Sequence, residues 1–112
     1  MIPMRESQTA VLERGLTLTE EHATEPFETA WAGEARWFVQ FLEPGSGEVT
    51  LRSQVSADGL TWVDHEGDPL TVEVGGLVTA SVAEFGHWLR LVVTPSEGTV
   101  APLVRITLAL KE

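Results

Sequence analysis

At 112 residues with 43% hydrophobic content, the chain is long enough for one packed domain and too short for two. Its formal charge of −10, with nine acids against three arginines in the first fifty residues and eight against four basic residues after them, opposes contact with phosphate backbones or anionic membranes. The absence of cysteine excludes disulfides and thiol nucleophiles, and no apolar run approaches the ~18 residues of a membrane-crossing helix.

Thirteen valines, twelve threonines and two isoleucines make the chain rich in β-branched residues, which pack well on pleated sheets and lose rotamer freedom in helices. Residues 1–8, Met1-Ile2-Pro3-Met4-Arg5-Glu6-Ser7-Gln8, read as a flexible or partner-bound arm without the apolar core of a signal peptide. Cytoplasmic synthesis is therefore expected, with one domain over residues 9–112. Val11–Arg14 is a candidate strand, and Leu16–Glu20 alternates as another after Gly15. Glu20–Pro26 reads as a loop or a single helical turn, because Pro26 stops a helix there. Phe27–Trp31 is a short strand. Trp37–Leu42 is apolar at successive positions, which predicts a central strand covered on both faces.

After the turn cluster Pro44-Gly45-Ser46-Gly47, Val49, Leu51, Ser53 and Val55 alternate with Thr50, Arg52, Gln54 and Ser56, so one face of that strand is solvated. The strand runs into Ser56-Ala57-Asp58-Gly59-Leu60-Thr61-Trp62. An Asp-Gly pair after such a run signals a hairpin turn, because glycine takes positive φ without a steric penalty. Leu70–Val74 and Val78–Val82 alternate about Gly75-Gly76, Trp88–Thr94 is strongly apolar, and Leu103–Lys111 alternates best of all. Eight or nine short strands, with turn signals every 8–12 residues, predict an all-β, antiparallel two-sheet sandwich of jelly-roll type.

The chemistry of the chain is sparse. Asp64, His65, Glu66 and Asp68 offer oxygen ligands that suit calcium, but their spacing is not that of a dedicated calcium loop, and a solvated hairpin tip is the plainer reading. His22, His65 and His87 show no metal-binding spacing, so a cupin-like metalloprotein is the weakest reading and no cofactor is expected. No Gly-x-Ser-x-Gly elbow or phosphate loop is present, and the chain does not read as an enzyme. Of the four tryptophans, Trp31 and Trp62 lie nearest turns. Exposed there, they would suit sugar stacking by a carbohydrate-binding module of discoidin or jelly-roll type; burial between two sheets is the plainer reading.

The Ser56–Trp62 segment resembles the Ser-x-Asp-Gly-x-x-Trp hairpin of discoidin-type and other jelly-roll sandwiches. It departs from the Asp-box of sialidase-type propellers, being one residue short between Asp58 and Gly59 and occurring once. With Trp88–Val93 and the closing strand Leu103–Lys111, the second half resembles small jelly-roll accessory proteins of tailed phages and related particles. That resemblance implies a virion-associated subunit that decorates a capsid or occupies a neck or tail, commonly as a trimer or larger ring, and it carries over no binding residues. The expected function is thus a non-enzymatic structural or interaction protein that coats or cements a larger protein shell, as a homo-oligomer, with no nucleic-acid or membrane partner. Arg36, Trp37, Arg52, Trp62 and Arg90 are the candidate contact residues, because tryptophan and arginine dominate interface hot spots.

Overall fold

The structure, a computed structural model, describes residues 6–112. Ten antiparallel strands occupy them: β1 (Ser7–Thr17), β2 (His22–Ala23), β3 (Phe27–Glu28), β4 (Glu34–Phe41), β5 (Glu48–Ser56), β6 (Val63–Asp64), β7 (Leu70–Glu73), β8 (Leu77–Val82), β9 (Trp88–Pro95) and β10 (Leu103–Lys111). One sheet has the order β1-β10-β4-β8, and the other β2-β9-β5-β6, with β3 also on β9 and β7 also on β5. The two-sheet antiparallel sandwich read from the alternation is the fold.

The topology is a single long hairpin rolled up. β5 pairs with β6 and β7, β4 with β8, β2 and β3 with β9, and β1 with β10. In each of those pairings the midpoint between partner residues falls between 57 and 61, so the chain folds back once, at the Ser56–Thr61 turn. Rolling then brings β10 against β4 and β9 against β5, and those contacts close the two sheets. With β2/β3 and β6/β7 counted as two interrupted strands, this is the eight-stranded jelly roll.

The turn at the centre is built by two side chains. Ser56, itself buried, accepts the N–H of Gly59 at 2.9 Å and donates its hydroxyl to Asp58 Oδ1 at 3.0 Å. Asp58 Oδ1 also accepts the N–H groups of Leu60 and Thr61 at 2.8 and 2.9 Å. Gly59 has φ +79°, and a Cβ there would sit 3.3 Å from the Trp88 ring, so the turn lies directly on that indole. The bonds from Thr61, then Leu60 and Ser56, hold the Asp58 carboxyl below the usual aspartate range. A depressed native pKa stabilises the fold above the unfolded value of about 3.9 and loses that contribution as pH falls through the native value. Denaturation midpoints measured from pH 6 to pH 2 should therefore fall less steeply at the acid end in Asp58→Asn than in the parent chain. An unchanged acid limb would contradict the turn geometry.

The core lies between the inward rows. Ala35, Trp37, Val39 and Phe41 of β4 and Val104, Ile106, Leu108 and Leu110 of β10 face Val49 and Leu51 of β5 and Leu89, Leu91 and Val93 of β9, with Leu18 and Phe85 closing the ends. Each is less than 9% exposed, and burial of such side chains supplies the main favourable term in folding. The broken β2/β3 edge is tied down by two buried threonines. Thr24 Oγ1 accepts Leu91 N–H at 3.0 Å, and Thr29 donates to Gly86 O and His87 O.

Several expectations are corrected. Val11–Arg14 and the first two residues of Leu16–Glu20 are not two strands but parts of β1, which passes Gly15 with register shifts between Val11 and Leu16 and ends at Thr17, leaving Leu18–Glu20 beyond it. Ser7 and Gln8, assigned to the arm, pair with Lys111 and Leu110; residues 1–5 lie outside the described residues. The Glu20–Pro26 loop contains the two-residue strand β2, and Trp31 sits in a turn after β3. β4 is not covered on both faces: Arg36 and Gln40 are exposed and Phe38 is half-buried.

Candidate interaction surface

The sequence candidates divide by their place in the sandwich. Trp37 is 1% exposed, its indole N–H donates to Ser53 Oγ at 3.0 Å between the sheets, and it presents no surface to a partner. Its apolar neighbours on β4 mark a core indole rather than a contact. Arg36 is exposed on the outer face of the first sheet, where its Nη1 donates to Thr79 Oγ1 at 3.2 Å. It lines a shallow groove of about 590 Å³ with Phe38, Ser81, Ala109 and Lys111. Arg52, Trp62 and Arg90 lie on the outer face of the second sheet, where the structure brings them together.

That convergence follows from register. Alternation turns Arg52 and Gln54 of β5 outward, and the β5–β9 pairing sets Gln54 opposite Arg90 and Arg52 opposite Val92. The Ser56–Thr61 turn then returns the chain so that Trp62 packs beside β9 and Asp64 pairs with Gln54. The Arg90 guanidinium stands 4.4 Å from the Trp62 ring centroid, a cation–π contact, while its Nε donates to Gln54 Oε1 at 2.8 Å. Gln54 Nε2 in turn donates to Asp64 Oδ1 at 2.8 Å.

The line continues across β5. Arg52 Nε lies 3.0 Å from Asp64 Oδ1, shielded from solvent and held by the ion pair without hydrogen-bond alignment. Its Nη2 is 3.7 Å from Glu21 Oε1, which also accepts the Thr94 hydroxyl at 2.8 Å. Val92 points outward in this row yet is only 3% exposed, consistent with long polar side chains lying over it. The two cations and two carboxylates balance, and each partly exposed pair contributes little alone. Joined in one row, they hold Trp62 and Arg90 in a fixed pose.

The remaining motif residues do not converge. Asp64 belongs to this strip, Glu66 is exposed, and His65 is tucked inward, where Nε2 meets Ala83 O at 2.7 Å and Nδ1 accepts Gly67 N–H at 2.9 Å. His22 and His87 face Glu13 and Glu28, at 2.8 and 3.4 Å. Among the described residues no three acidic or imidazole groups gather as a metal site. Trp31 packs against the core and one face of Trp62 is capped by Arg90, so the two do not form an open aromatic platform.

Gln54, Glu21 and Thr94 complete the strip and were not singled out from the sequence, whereas Asp64 was singled out only as an acid of a hairpin tip. The solvated face of the β5 alternation pointed to Gln54; the others are joined only through pairings between distant segments.

No family model matches the chain, and no curated protein matches it in sequence. Among solved structures, SPBc2 prophage-derived protein YomS overlays 100% of this chain with 98% of its own, at a TM-score of 0.66 and 9% identity. That likeness is one of fold, end to end. PirA (TM-score 0.45, 14% identity, 95% and 93% of the two chains) and FLHE (0.46, 12%, 96% and 95%) overlap at scores that carry no argument.

Proposed function

We propose that this chain is a non-enzymatic subunit of a phage-like particle, one that decorates or cements a larger protein shell. The observation that carries the reading is the fold it shares along its whole length with a prophage-derived protein of nearly the same extent. The outer strip of the second sheet supplies the contact. Arg90 is pre-arranged there by its hydrogen bond to Gln54 and Trp62 by the cation–π contact with Arg90, so little side-chain freedom is lost when a partner covers them. Tryptophan and arginine fixed in this way are the side chains that dominate protein–protein contacts.

Co-sedimentation with particles isolated from the producing cells tests the proposal. The parent chain should pellet with the shell and saturate at a fixed copy number. Trp62→Ala and Arg90→Ala should keep the far-ultraviolet spectrum of the fold and bind at least about tenfold more weakly, the scale of a hot-spot loss. Failure of the parent chain to pellet would overturn the proposal. Pelleting unaffected by either substitution would overturn the assignment of the surface.

A further inference from the structure

The fold-back turn holds one peptide bond suited to a spontaneous rearrangement. A backbone nitrogen can attack the side-chain carboxyl of the aspartate that precedes it. The N–Cγ bond forms, the nitrogen's proton and the carboxyl's hydroxyl leave together as water, and a succinimide ring results. Water then opens the ring at either carbonyl. Opening at Cγ restores aspartate, whereas opening at the main-chain carbonyl leaves isoaspartate, with the backbone routed through the side chain. The chain has three aspartates and no asparagine. Asp68 precedes Pro69, whose nitrogen has no hydrogen to lose, and Asp64 precedes His65, whose side chain crowds the attack. Asp58 precedes Gly59, where no side chain stands in the way.

We infer that Asp58–Gly59 is the chain's site of isoaspartate formation, and that the Ser56 turn holds the reaction back for as long as it stays closed. Both reacting groups are engaged elsewhere. The Gly59 N–H donates to Ser56 Oγ at 2.9 Å, so the nitrogen is turned toward that hydroxyl and keeps its proton. Asp58 Oδ1 accepts the Thr61 and Leu60 N–H groups at 2.9 and 2.8 Å and the Ser56 hydroxyl at 3.0 Å, which aims the carboxyl at the amides that follow Gly59. The bonds from Thr61, then Leu60 and Ser56, also keep that carboxyl ionised, and a carboxylate has no hydroxyl to lose as water. The Trp88 ring backs the half-buried Gly59, 3.3 Å from where a Cβ would stand, and limits rotation of its backbone. Attack therefore needs the turn to open, and the isoaspartate that accumulates is a covalent record of that opening. The product also damages the fold at its pivot. It adds one main-chain carbon between β5 and β6, which pair on either side of the turn, and converts the capping carboxylate into a main-chain carbonyl.

Peptide mapping of the full chain, incubated in water enriched in heavy oxygen, decides it. Ring opening places one heavy oxygen in the peptide that carries residue 58, and chromatography separates the isoaspartyl peptide from its isomer. The folded parent should form isoaspartate at Asp58 at least about tenfold more slowly than the same chain in denaturant, because only the open fraction reacts. Across a urea titration the rate should climb with that fraction. Ser56→Ala removes the acceptor of the Gly59 N–H and one donor to Asp58. It should raise the rate in buffer at least about threefold and leave the rate in denaturant unchanged. A folded parent that reacts as fast as the denatured chain would overturn the shielding, with no substitution needed. Isoaspartate forming as readily at Asp64 in denaturant would overturn the assignment of the site. A Ser56→Ala chain with the parent's far-ultraviolet spectrum and the parent's rate would overturn the part given to Ser56.

Discussion

Trp37→Ala should cost about 3–5 kcal/mol of unfolding free energy, the range for deleting a large aromatic side chain from a packed core. Domains of this size are stable by only about 5–15 kcal/mol, so the variant should sit near the edge of folding at 37 °C. The cost has two sources. Trp37 is 1% exposed between β10 and β8, in register with Leu108 and Ala80, and its removal leaves a void the surrounding strands cannot collapse into. Its indole N–H also holds the hydroxyl of Ser53 on the opposite sheet at 3.0 Å, so the side chain bridges both layers. Trp37→Phe keeps most of the volume and should lose about 1–2 kcal/mol, chiefly the hydrogen bond and the ring's second cycle. Urea denaturation of the three proteins separates these terms. A loss below about 1 kcal/mol for the alanine variant would contradict a core position for this residue.

Gly47→Ala should be the next most damaging change, at about 2–4 kcal/mol, from left-handed backbone strain and overpacking acting together. Gly47 has φ +110°, and an added Cβ would lie 2.8 Å from Thr99 Cβ and 2.9 Å from its Cα. Thr99 cannot give way freely. Its Oγ1 accepts Glu48 N–H and donates to Glu48 O, both at 3.1 Å, while Ser96 N–H reaches Glu48 O at 2.9 Å. The β4–β5 and β9–β10 loops are clasped at this point, and Val74 N–H binds Gly47 O at 2.9 Å to add the β7 end. Gly75→Ala isolates the backbone component, because φ is +143° there and no neighbour lies within 4 Å of the added carbon. It should cost about 1 kcal/mol. Equal losses from the two alanines would contradict the clasp.

The alternating rows of β5, β8 and β10 were legible in the sequence because a period of two marks which side chains share a face. The fold-back at Ser56–Thr61 was legible too, since Asp-Gly after a strand names a turn by its backbone requirement. Which strand meets which was not. Periodicity carries no information on partners, and the rolled pairings of β4 with β10 and β5 with β9 join residues separated by as many as 77 positions, as with Glu34 and Lys111 at the sheet's end. β1 looked like two strands because a bulge breaks the alternation that sequence reading relies on. β2 and β6 are two residues each, too short to carry any period.

The site was legible in part for the same reason. Arg52, Trp62 and Arg90 share a surface because outward positions on adjacent strands were among the candidates, yet Arg36 proved to lie on the opposite sheet and Trp37 inside. An apolar stretch such as Trp37–Leu42 reads alike whether one face or both are covered. The hydrogen bonds that fix Arg90, through Gln54 to Asp64, depend on strand neighbours that only the rolled topology supplies.

Quantitative mass spectrometry of particles purified from the producing cells tests the central claim most directly. An assembly subunit should be present at a fixed, integral ratio to the major shell protein, and that ratio should hold through repeated density-gradient steps. Recovery of the chain only in the soluble fraction, with none retained on the particles, would contradict the account.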